Sequence, residues 1–165
     1  MAKVEKEMDR EAPHSHLFQA LLPVIFLVIW ILDSYVFKIS TWLNEFIPFV
    51  LRLVLFVVVM CLALITMYVS HNNLFHENEP QNKLITDGIL GYTRNPLYLG
   101  ILLIYIAFLF LSVSLINIIL FLIVIAIYNW MVGYEEATLE KLFGEEFLNY
   151  KKNVPKWIPK FTKKT

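Results

Sequence analysis

The chain alternates between long apolar runs and short polar segments. Four apolar runs stand out, at residues 17–37, 46–70, 97–111 and 115–134. A helix needs about 20 apolar residues to cross a hydrocarbon core of about 30 Å, and all but the third run reach that length. Because backbone groups inside lipid must pair within their own segment, the runs predict helices. The polar triplet at 112–114 predicts the tip of a hairpin between the last two runs.

The pattern therefore predicts an all-α, polytopic membrane protein with about four transmembrane helices, including a helical hairpin. We expect a single membrane domain over 1–165, with a tail at 1–16, membrane helices within 17–134, a loop at 71–96 and a second tail at 135–165. Composition agrees, since 58% of the residues are hydrophobic against about 45–50% in soluble domains. The formal net charge is zero, which gives no reason to expect a nucleic-acid partner.

Basic residues predict the orientation of the helices. The first tail, the loop at 71–96 and the second tail carry nearly all of the Lys and Arg, whereas the first loop contributes only Lys38. Because cytoplasmic segments carry the excess of Lys and Arg, we expect both termini and the loop at 71–96 in the cytoplasm. That is the side on which soluble nucleotide-derived cofactors are found.

Two charged residues, Asp33 and Arg52, fall within or beside apolar runs. Charges at membrane depth are costly and often functional. Both lie near helix ends, so snorkelling of the side chains to the interface is the alternative interpretation. The pattern alone leaves both interpretations open.

One polar stretch, at 71–100, contains residues with chemical or conformational uses. Arg94 offers a planar fork for a carboxylate or phosphate, and Pro96 suits the first turn of a helix. Gly88 permits a backbone turn, while Tyr98 and Gly100 follow at the helix opening. The alternative is a positively charged anchor before an ordinary helix start. His71 and His76 match no strong ligand motif, so no metal site is predicted.

A second polar stretch begins at Tyr134. The adjacent carboxylates Glu135 and Glu136 directly follow an apolar run, where they can bind an ammonium or sulfonium group or simply end the span. Beyond them, apolar residues recur at the spacing of an amphipathic helix lying on or against the membrane surface. These residues are Leu139, Leu142, Phe143 and Phe147.

Four motifs in these stretches, taken in order, resemble the isoprenylcysteine carboxyl methyltransferase and phospholipid methyltransferase superfamily of membrane enzymes. That pattern reads approximately Leu-Val-Thr-x-Gly, Arg-(His/Asn)-Pro-x-Tyr-x-Gly, Glu-Glu, and a tail Phe-Gly-x-x-(Tyr/Phe)-x-x-Tyr-x-x-x-Val-Pro. The chain has Leu-Ile-Thr-Asp-Gly at 84–88, Arg-Asn-Pro-Leu-Tyr-Leu-Gly at 94–100, Glu-Glu at 135–136, and the tail elements at 143–155. The resemblance covers about residues 71–160.

The resemblance implies S-adenosylmethionine-dependent methyl transfer to a lipophilic small molecule or a prenylated substrate, in contact with membrane lipids. It implies a cofactor pocket at the cytoplasmic helix ends, covered by the carboxyl-terminal tail, with Arg94, Glu135 and Glu136 as catalytic candidates. By likeness, the cofactor-binding residues are Asn82, Lys83, Leu84, Ile85, Gly88, Leu90, Arg94, Asn95, Pro96, Tyr98, Gly100, Glu135 and Glu136.

Departures from the family pattern bear on the acceptor. Asn82 stands where many carboxyl-methylating members have His, and Leu90 stands where members often have Tyr. The acceptor therefore stays open between an isoprenylcysteine-type carboxylate, a lipid amine and a lipid thiol. Two other functions compete: an NADPH-dependent sterol-type reductase, and a scaffold without catalysis. Because Arg94 and Glu135 lie outside the apolar packing, we expect replacement of either to weaken cofactor binding without unfolding the protein.

Overall fold

The computed structural model describes residues 12–74 and 84–160, and all of the regular structure in these ranges is helical. The α-helices are α1 (Ser15–Ile31), α2 (Phe49–Leu74), α3 (Pro96–Leu111), α4 (Leu115–Phe143) and α5 (Glu145–Asn153). A π-helical turn at Leu32–Phe37 extends α1, and 3-10 turns occupy Trp42–Glu45 and Gly88–Gly91.

Three helical segments of the described chain are long and apolar enough to cross a membrane. They are Ser15–Phe37, Phe49–Leu74 and Leu115–Phe143. The shorter apolar helix α3 has 16 residues, so it is about 24 Å long at 1.5 Å per residue. The predicted all-α membrane fold, with its short third helix, is confirmed.

Helices α3 and α4 form a hairpin whose tip is at residues 112–114. The Ser114 side chain accepts a hydrogen bond from the backbone N–H of Asn117 and thereby caps the start of α4, as Ser commonly does at this position. Arg52 of α2 donates from Nη1 to the carbonyl of Leu111, at 2.9 Å, and so satisfies an orphan acceptor at the end of α3. We call this end of the bundle the hairpin end, and the opposite end, which carries residues 84–95, the loop end.

Helices α2 and α3 lie in close contact because Gly100 has no side chain. A Cβ at this position would lie 2.5 Å from Met67 Cγ and 3.3 Å from the backbone oxygen of Ala63. Small residues at helix contacts let backbones approach closely in membranes, where packing rather than water exclusion drives association. Gly100 therefore sets the distance between these two helices.

Aromatic residues fill the space between α1, α3 and α4. The rings of Phe26 and Tyr105 meet edge to face with centroids 4.7 Å apart, a favourable aromatic geometry. Trp30 donates from its indole N–H to the carbonyl of Phe108, at 3.1 Å. Tyr128 of α4 is fully buried against Tyr98 and Tyr105. The outward faces of the long helices remain exposed and apolar, as contact with lipid requires.

Asp33 does not snorkel to the interface. Only 3% of its surface is exposed, and its carboxylate accepts hydrogen bonds from the Ser40 backbone N–H and from the hydroxyls of Ser40 and Ser114. Because Ser114 is the cap of α4, Asp33 fastens the end of α1 to the hairpin. The snorkelling alternative is wrong for this residue.

The carboxyl-terminal helices differ from the predicted amphipathic run. Helix α4 continues past the acidic pair to Phe143, and Gly144, with φ +54°, breaks the chain before α5. The residues that share one helical spacing in the sequence therefore lie on two helices. Glycine adopts a positive φ at low cost, and the spacing of apolar residues carries no signal of such a break.

Candidate active site

A cavity of about 490 Å³ opens at the loop end of the bundle. Its volume lies in the range of small-molecule sites, about 300–1,000 Å³. Helices α1 to α5 and the loop at 84–95 all contribute to its wall. The lining residues are Gln19, Leu74, Leu84, Ile85, Leu90, Arg94, Asn95, Pro96, Leu97, Tyr98, Ile101, Glu135, Glu136, Leu139, Phe143, Phe147 and Tyr150.

An ion pair between Arg94 and Glu136 forms the polar wall of the cavity. Arg94 Nε lies 3.0 Å from Glu136 Oε1, and Nη2 lies 3.3 Å from Oε2. Both side chains are largely buried, with 9% and 8% of their surfaces exposed. The paired geometry matches the planar fork of the guanidinium to the two carboxylate oxygens. This pair joins the start of α3 to α4.

The same arginine also holds the carboxyl-terminal segment in place. Arg94 Nη1 donates to the carbonyls of Lys151 and Val154, at 3.0 and 2.6 Å, and its backbone N–H donates to the carbonyl of Pro155. The neighbouring Thr93 hydroxyl lies within hydrogen-bond distance of the carbonyls of the next two tail residues. Arg94 is therefore the point at which the loop, α4 and the tail meet.

Asn95 extends this polar wall by one residue. Its Nδ2 lies 3.1 Å from Glu136 Oε1 and 3.3 Å from the carbonyl of Lys156. Burial lowers the pKa of Lys156, and the nearby Glu136 carboxylate opposes that shift. Two side chains, Arg94 and Asn95, thus donate hydrogen bonds to the Glu136 carboxylate.

A chain of three side chains from different helices forms another side of the cavity. The Tyr98 hydroxyl of α3 donates to Glu135 Oε1 of α4, and Gln19 Nε2 of α1 lies 3.4 Å from the Tyr98 oxygen. Glu135 is more exposed than its buried neighbour Glu136. The two adjacent carboxylates thus have different surroundings, one locked in an ion pair and one bonded to a phenol.

Helix α5 supplies the apolar cover of the cavity. Phe147 is 1% exposed and lies in the wall with Leu139 and Phe143 of α4. The Tyr150 hydroxyl donates to the carbonyl of Leu90, at 2.7 Å, which ties α5 to the loop. Burial raises the pKa of Tyr150, Arg94 opposes this and Glu136 adds to it. The phenol is therefore protonated, and a donor, at neutral pH.

Most of the residues predicted from sequence line this cavity. Leu84, Ile85, Leu90, Arg94, Asn95, Pro96, Tyr98, Glu135 and Glu136 are all in its wall. Gly88 and Gly100 are not in the wall. Gly88 has φ +60° and lies against the side chain of Asn73 at the end of α2, whereas Gly100 contacts the middle of that helix. Both glycines serve backbone packing, which the motif does not distinguish from ligand contact.

Two predicted residues, Asn82 and Lys83, lie outside the described residues, as does His76. Sequence reasoning missed Gln19, whose position in α1 gave no signal because its partner Tyr98 is far away along the chain. It also missed Tyr150, although the tail motif contains that tyrosine.

Comparison with known proteins places the chain in a family. A family model described as "Phospholipid methyltransferase" matches residues 47–146, more than half of the chain. The chain belongs to the phospholipid methyltransferase family. The matched residues include α2, α3, α4 and the loop. They also include both members of the Arg94–Glu136 pair. Gln19 and the part of the tail that contacts Arg94 lie outside the matched residues.

Two curated proteins are similar to this phospholipid methyltransferase family member. One is the protein-S-isoprenylcysteine O-methyltransferase of Schizosaccharomyces pombe, 34% identical over 77 residues, which are 46% of this chain and 33% of the relative. The other is the protein-S-isoprenylcysteine O-methyltransferase of Rattus norvegicus, 30% identical over 104 residues, 60% of this chain and 37% of the relative. The alignments thus span about a third of each relative. No solved structure matches the chain.

Proposed function

We propose that this protein transfers a methyl group from S-adenosylmethionine to a lipophilic acceptor at the membrane boundary. One observation carries the proposal: a single cavity at the ends of membrane-length helices combines a charged polar wall with an apolar wall. A water-soluble donor and a lipid-soluble acceptor need such a site, and holding both in it supplies much of the reduction in the barrier.

The residues of the cavity suit the donor. S-adenosylmethionine supplies an electrophilic methyl group on a sulfonium, and it carries an ammonium and a carboxylate besides. Arg94 uses four of its five N–H groups on protein partners within the described residues, which leaves one at Nη2 for a carboxylate. Glu135 offers negative charge to a cation. Leu84, Ile85 and Phe147 supply apolar contact for an adenine ring.

The acceptor would meet the Gln19–Tyr98–Glu135 chain. This chain lies where α1, α3 and α4 converge, and Ile101 and Leu139 provide apolar wall beside it. Glu135, whose Oε1 accepts a hydrogen bond from the Tyr98 hydroxyl, would receive the proton from an amine or thiol acceptor. Since both similar curated proteins are named isoprenylcysteine O-methyltransferases, a prenylated cysteine carboxylate is the first acceptor to try.

The orientation is part of the proposal. Helix α1 begins, and α4 ends, at the loop end of the bundle, so both would emerge on the side of the cavity. With the basic segments at this end, we propose that the cavity faces the cytoplasm. A carboxyl-terminal tag should then be labelled by an impermeant reagent only after cells are opened. Labelling of intact cells would reverse the orientation.

Calorimetric titration tests cofactor binding. Purified protein in detergent is titrated with S-adenosylhomocysteine and, in parallel, with NADPH, first as wild type and then as Glu135→Gln. The matched control is Glu140→Gln, which removes a carboxylate from the same helix outside the cavity. We expect saturable binding of S-adenosylhomocysteine alone, weakened about tenfold by Glu135→Gln and unchanged by the control. Binding of NADPH alone would favour a reductase, and binding of neither by folded protein would favour a scaffold.

An acceptor screen follows, with labelled methyl donor and three acceptors: a farnesylated cysteine, phosphatidylethanolamine and a long-chain thiol. Label in one product assigns the acceptor class. Absence of label in all three, from protein that binds S-adenosylhomocysteine, would contradict a lipophilic acceptor of these classes.

A further inference from the structure

A second cavity lies at the hairpin end, at the opposite end of the bundle from the candidate active site. Its volume is about 440 Å³, which is again within the range of ligand sites. The turn after α1, the start of α2 and the hairpin tip form its wall. The lining residues are Ser34, Tyr35, Lys38, Thr41, Trp42, Asn44, Glu45, Phe49, Arg52, Leu111 and Ser112.

Three charged side chains converge on this cavity, the cations Lys38 and Arg52 and the carboxylate Glu45. Over residues 12–74 and 84–160, no ion pair within 4.0 Å joins either cation to the carboxylate. Opposite charges that share one cavity without pairing leave both signs available to a ligand. A ligand that carries a negative and a positive group would complement the site.

Hydrogen bonds to the backbone orient the Arg52 side chain and leave donors for an anion. Its Nε donates to the carbonyl of Ile47, at 3.2 Å, and its Nη1 donates to the carbonyl of Leu111, at 2.9 Å. These two bonds hold the guanidinium in a fixed orientation. The guanidinium also lies over the Phe49 ring, with Cζ 5.6 Å from the ring centroid. Within the described residues Nη2 has no hydrogen-bond partner, so its donors remain for a phosphate or carboxylate.

The backbone of Lys38 adds a second observation. This residue has φ +53°, a left-handed conformation that is uncommon for a residue other than glycine. Lys38 ends the π-helical turn that extends α1, a position at which helices commonly take this conformation. The turn at Lys38 brings its side chain into the wall of the cavity.

The side chains around the cavity are of the kinds that contact lipids. Trp42 and Tyr35 in its wall are 55% and 59% exposed, and such amphipathic rings are enriched at the headgroup level of membranes. Exposed apolar side chains lie beside them, with Phe49 58% and Phe46 74% exposed. A molecule with its head in the cavity would have acyl chains along these apolar surfaces.

We propose that the cavity at the hairpin end binds a phospholipid with a zwitterionic headgroup, in the leaflet opposite the candidate active site. Arg52 and Lys38 bind its phosphate, and Glu45 binds its amine. The lipid occupies a place between α1, α2 and the hairpin tip, where it is a bound component and not the methyl acceptor. The proposal does not depend on methyl transfer.

Native mass spectrometry of the full chain in detergent tests this site. Delipidated protein is titrated with phosphatidylethanolamine, and the bound fraction is compared between wild type and Lys38→Gln/Glu45→Gln. Both residues are exposed, so the variant keeps the fold, and its net charge is unchanged. The matched control is Lys151→Gln/Glu140→Gln, which removes an exposed ion pair at the loop end. We expect binding to weaken about tenfold in the first variant and to be unchanged in the control.

Three results would overturn the proposal. The first is equal binding by wild type and both variants, or equal loss in both. The second is a loss in Glu135→Gln as large as that in Lys38→Gln/Glu45→Gln, because the lipid would then lie in the loop-end cavity. The third is displacement by soluble glycerophosphoethanolamine at the same concentration as the lipid, which would assign the site to a small phosphate and not to a phospholipid.

Discussion

The two ends of the bundle each bury a carboxylate, and they stabilise it differently. At the loop end, Glu136 is paired with a guanidinium that also binds the tail. At the hairpin end, Asp33 accepts hydrogen bonds from two hydroxyls and a backbone N–H. Among the residues that the structure describes, no cation forms an ion pair with it. The hairpin-end arrangement joins two elements and faces no active-site cavity. The loop-end arrangement joins three elements and forms a cavity wall, so its loss should affect both stability and binding.

Arg94→Ala should have the largest effect. It leaves Glu136 buried without its cation and releases the tail, and removal of one partner of a buried pair costs about 3–5 kcal/mol. We expect a large fall in the thermal unfolding temperature in detergent, together with loss of S-adenosylhomocysteine binding. Lys151→Ala is the control, because its side chain is 41% exposed and exposed pairs contribute about 0–1 kcal/mol. A stable Arg94→Ala protein would refute the role of this residue as a clamp.

Asp33→Asn should have a smaller effect, confined to stability. The amide has one acceptor oxygen where the carboxylate has two, so a buried hydroxyl loses its acceptor, at a cost of about 1–3 kcal/mol. S-adenosylhomocysteine affinity should stay within about twofold of wild type, well below the tenfold change that 1.4 kcal/mol gives. A loss of S-adenosylhomocysteine binding in parallel with the loss of stability would show that the two ends of the bundle are coupled, and that Asp33 does not act on stability alone.

Tyr98→Phe should reduce activity more than stability. It removes the donor to Glu135 and the contact with Gln19, while the ring keeps its packing against Tyr128. We expect methyl transfer to fall about tenfold, with a loss of about 1 kcal/mol in stability. Tyr105→Phe is the matched control, since that phenol is buried in the core away from the cavity. Equal rates for the two variants would remove Tyr98 from the reaction.

Tyr150→Phe should have the smallest effect, with a distinctive pH dependence. The hydrogen bond to Leu90 contributes about 1 kcal/mol. Because the pKa of Tyr150 is raised in the folded state from its ordinary value of 10.0, this contribution is complete below pH 10 and is lost as pH rises further. The stability difference between wild type and variant should be constant from pH 7 to 10 and shrink above it. A difference that shrinks below pH 9 would contradict the assigned hydrogen bond.

The helices and the polar wall of the site were predictable because their signals lie in short, continuous stretches of the sequence. Long apolar runs predict membrane helices without tertiary information. The residues at 94–98 and 135–136 adjoin apolar runs, and their match to the family motifs predicted them as site residues. The role of Arg94 was only half predictable. Its side chain was expected to bind ligand and to be dispensable for folding, but its contacts with Val154 and Glu136 make it a packing residue as well.

Other features depend on partners that are distant in sequence. Asp33 was one of two charges near helix ends, and nothing near it predicts Ser114 as its partner, 81 residues away. Gln19 is one polar residue in an apolar helix until Tyr98 is brought beside it. The break between α4 and α5 occurs at one residue, Gly144, whereas the periodic pattern of apolar residues around it predicts a continuous helix.

The short length of α3 has a consequence for the surrounding lipid. At about 24 Å, this helix is shorter than the hydrocarbon core by several ångströms, and a short span is met by local thinning of the bilayer at a cost of fractions of a kcal/mol per Å. Lipids beside α3 would therefore sit with their headgroups drawn toward Pro96 and the mouth of the loop-end cavity. The acceptor's headgroup must be drawn inward to reach the site, at a cost that grows with bilayer thickness, so we expect methyl transfer to slow in vesicles whose acyl chains are lengthened.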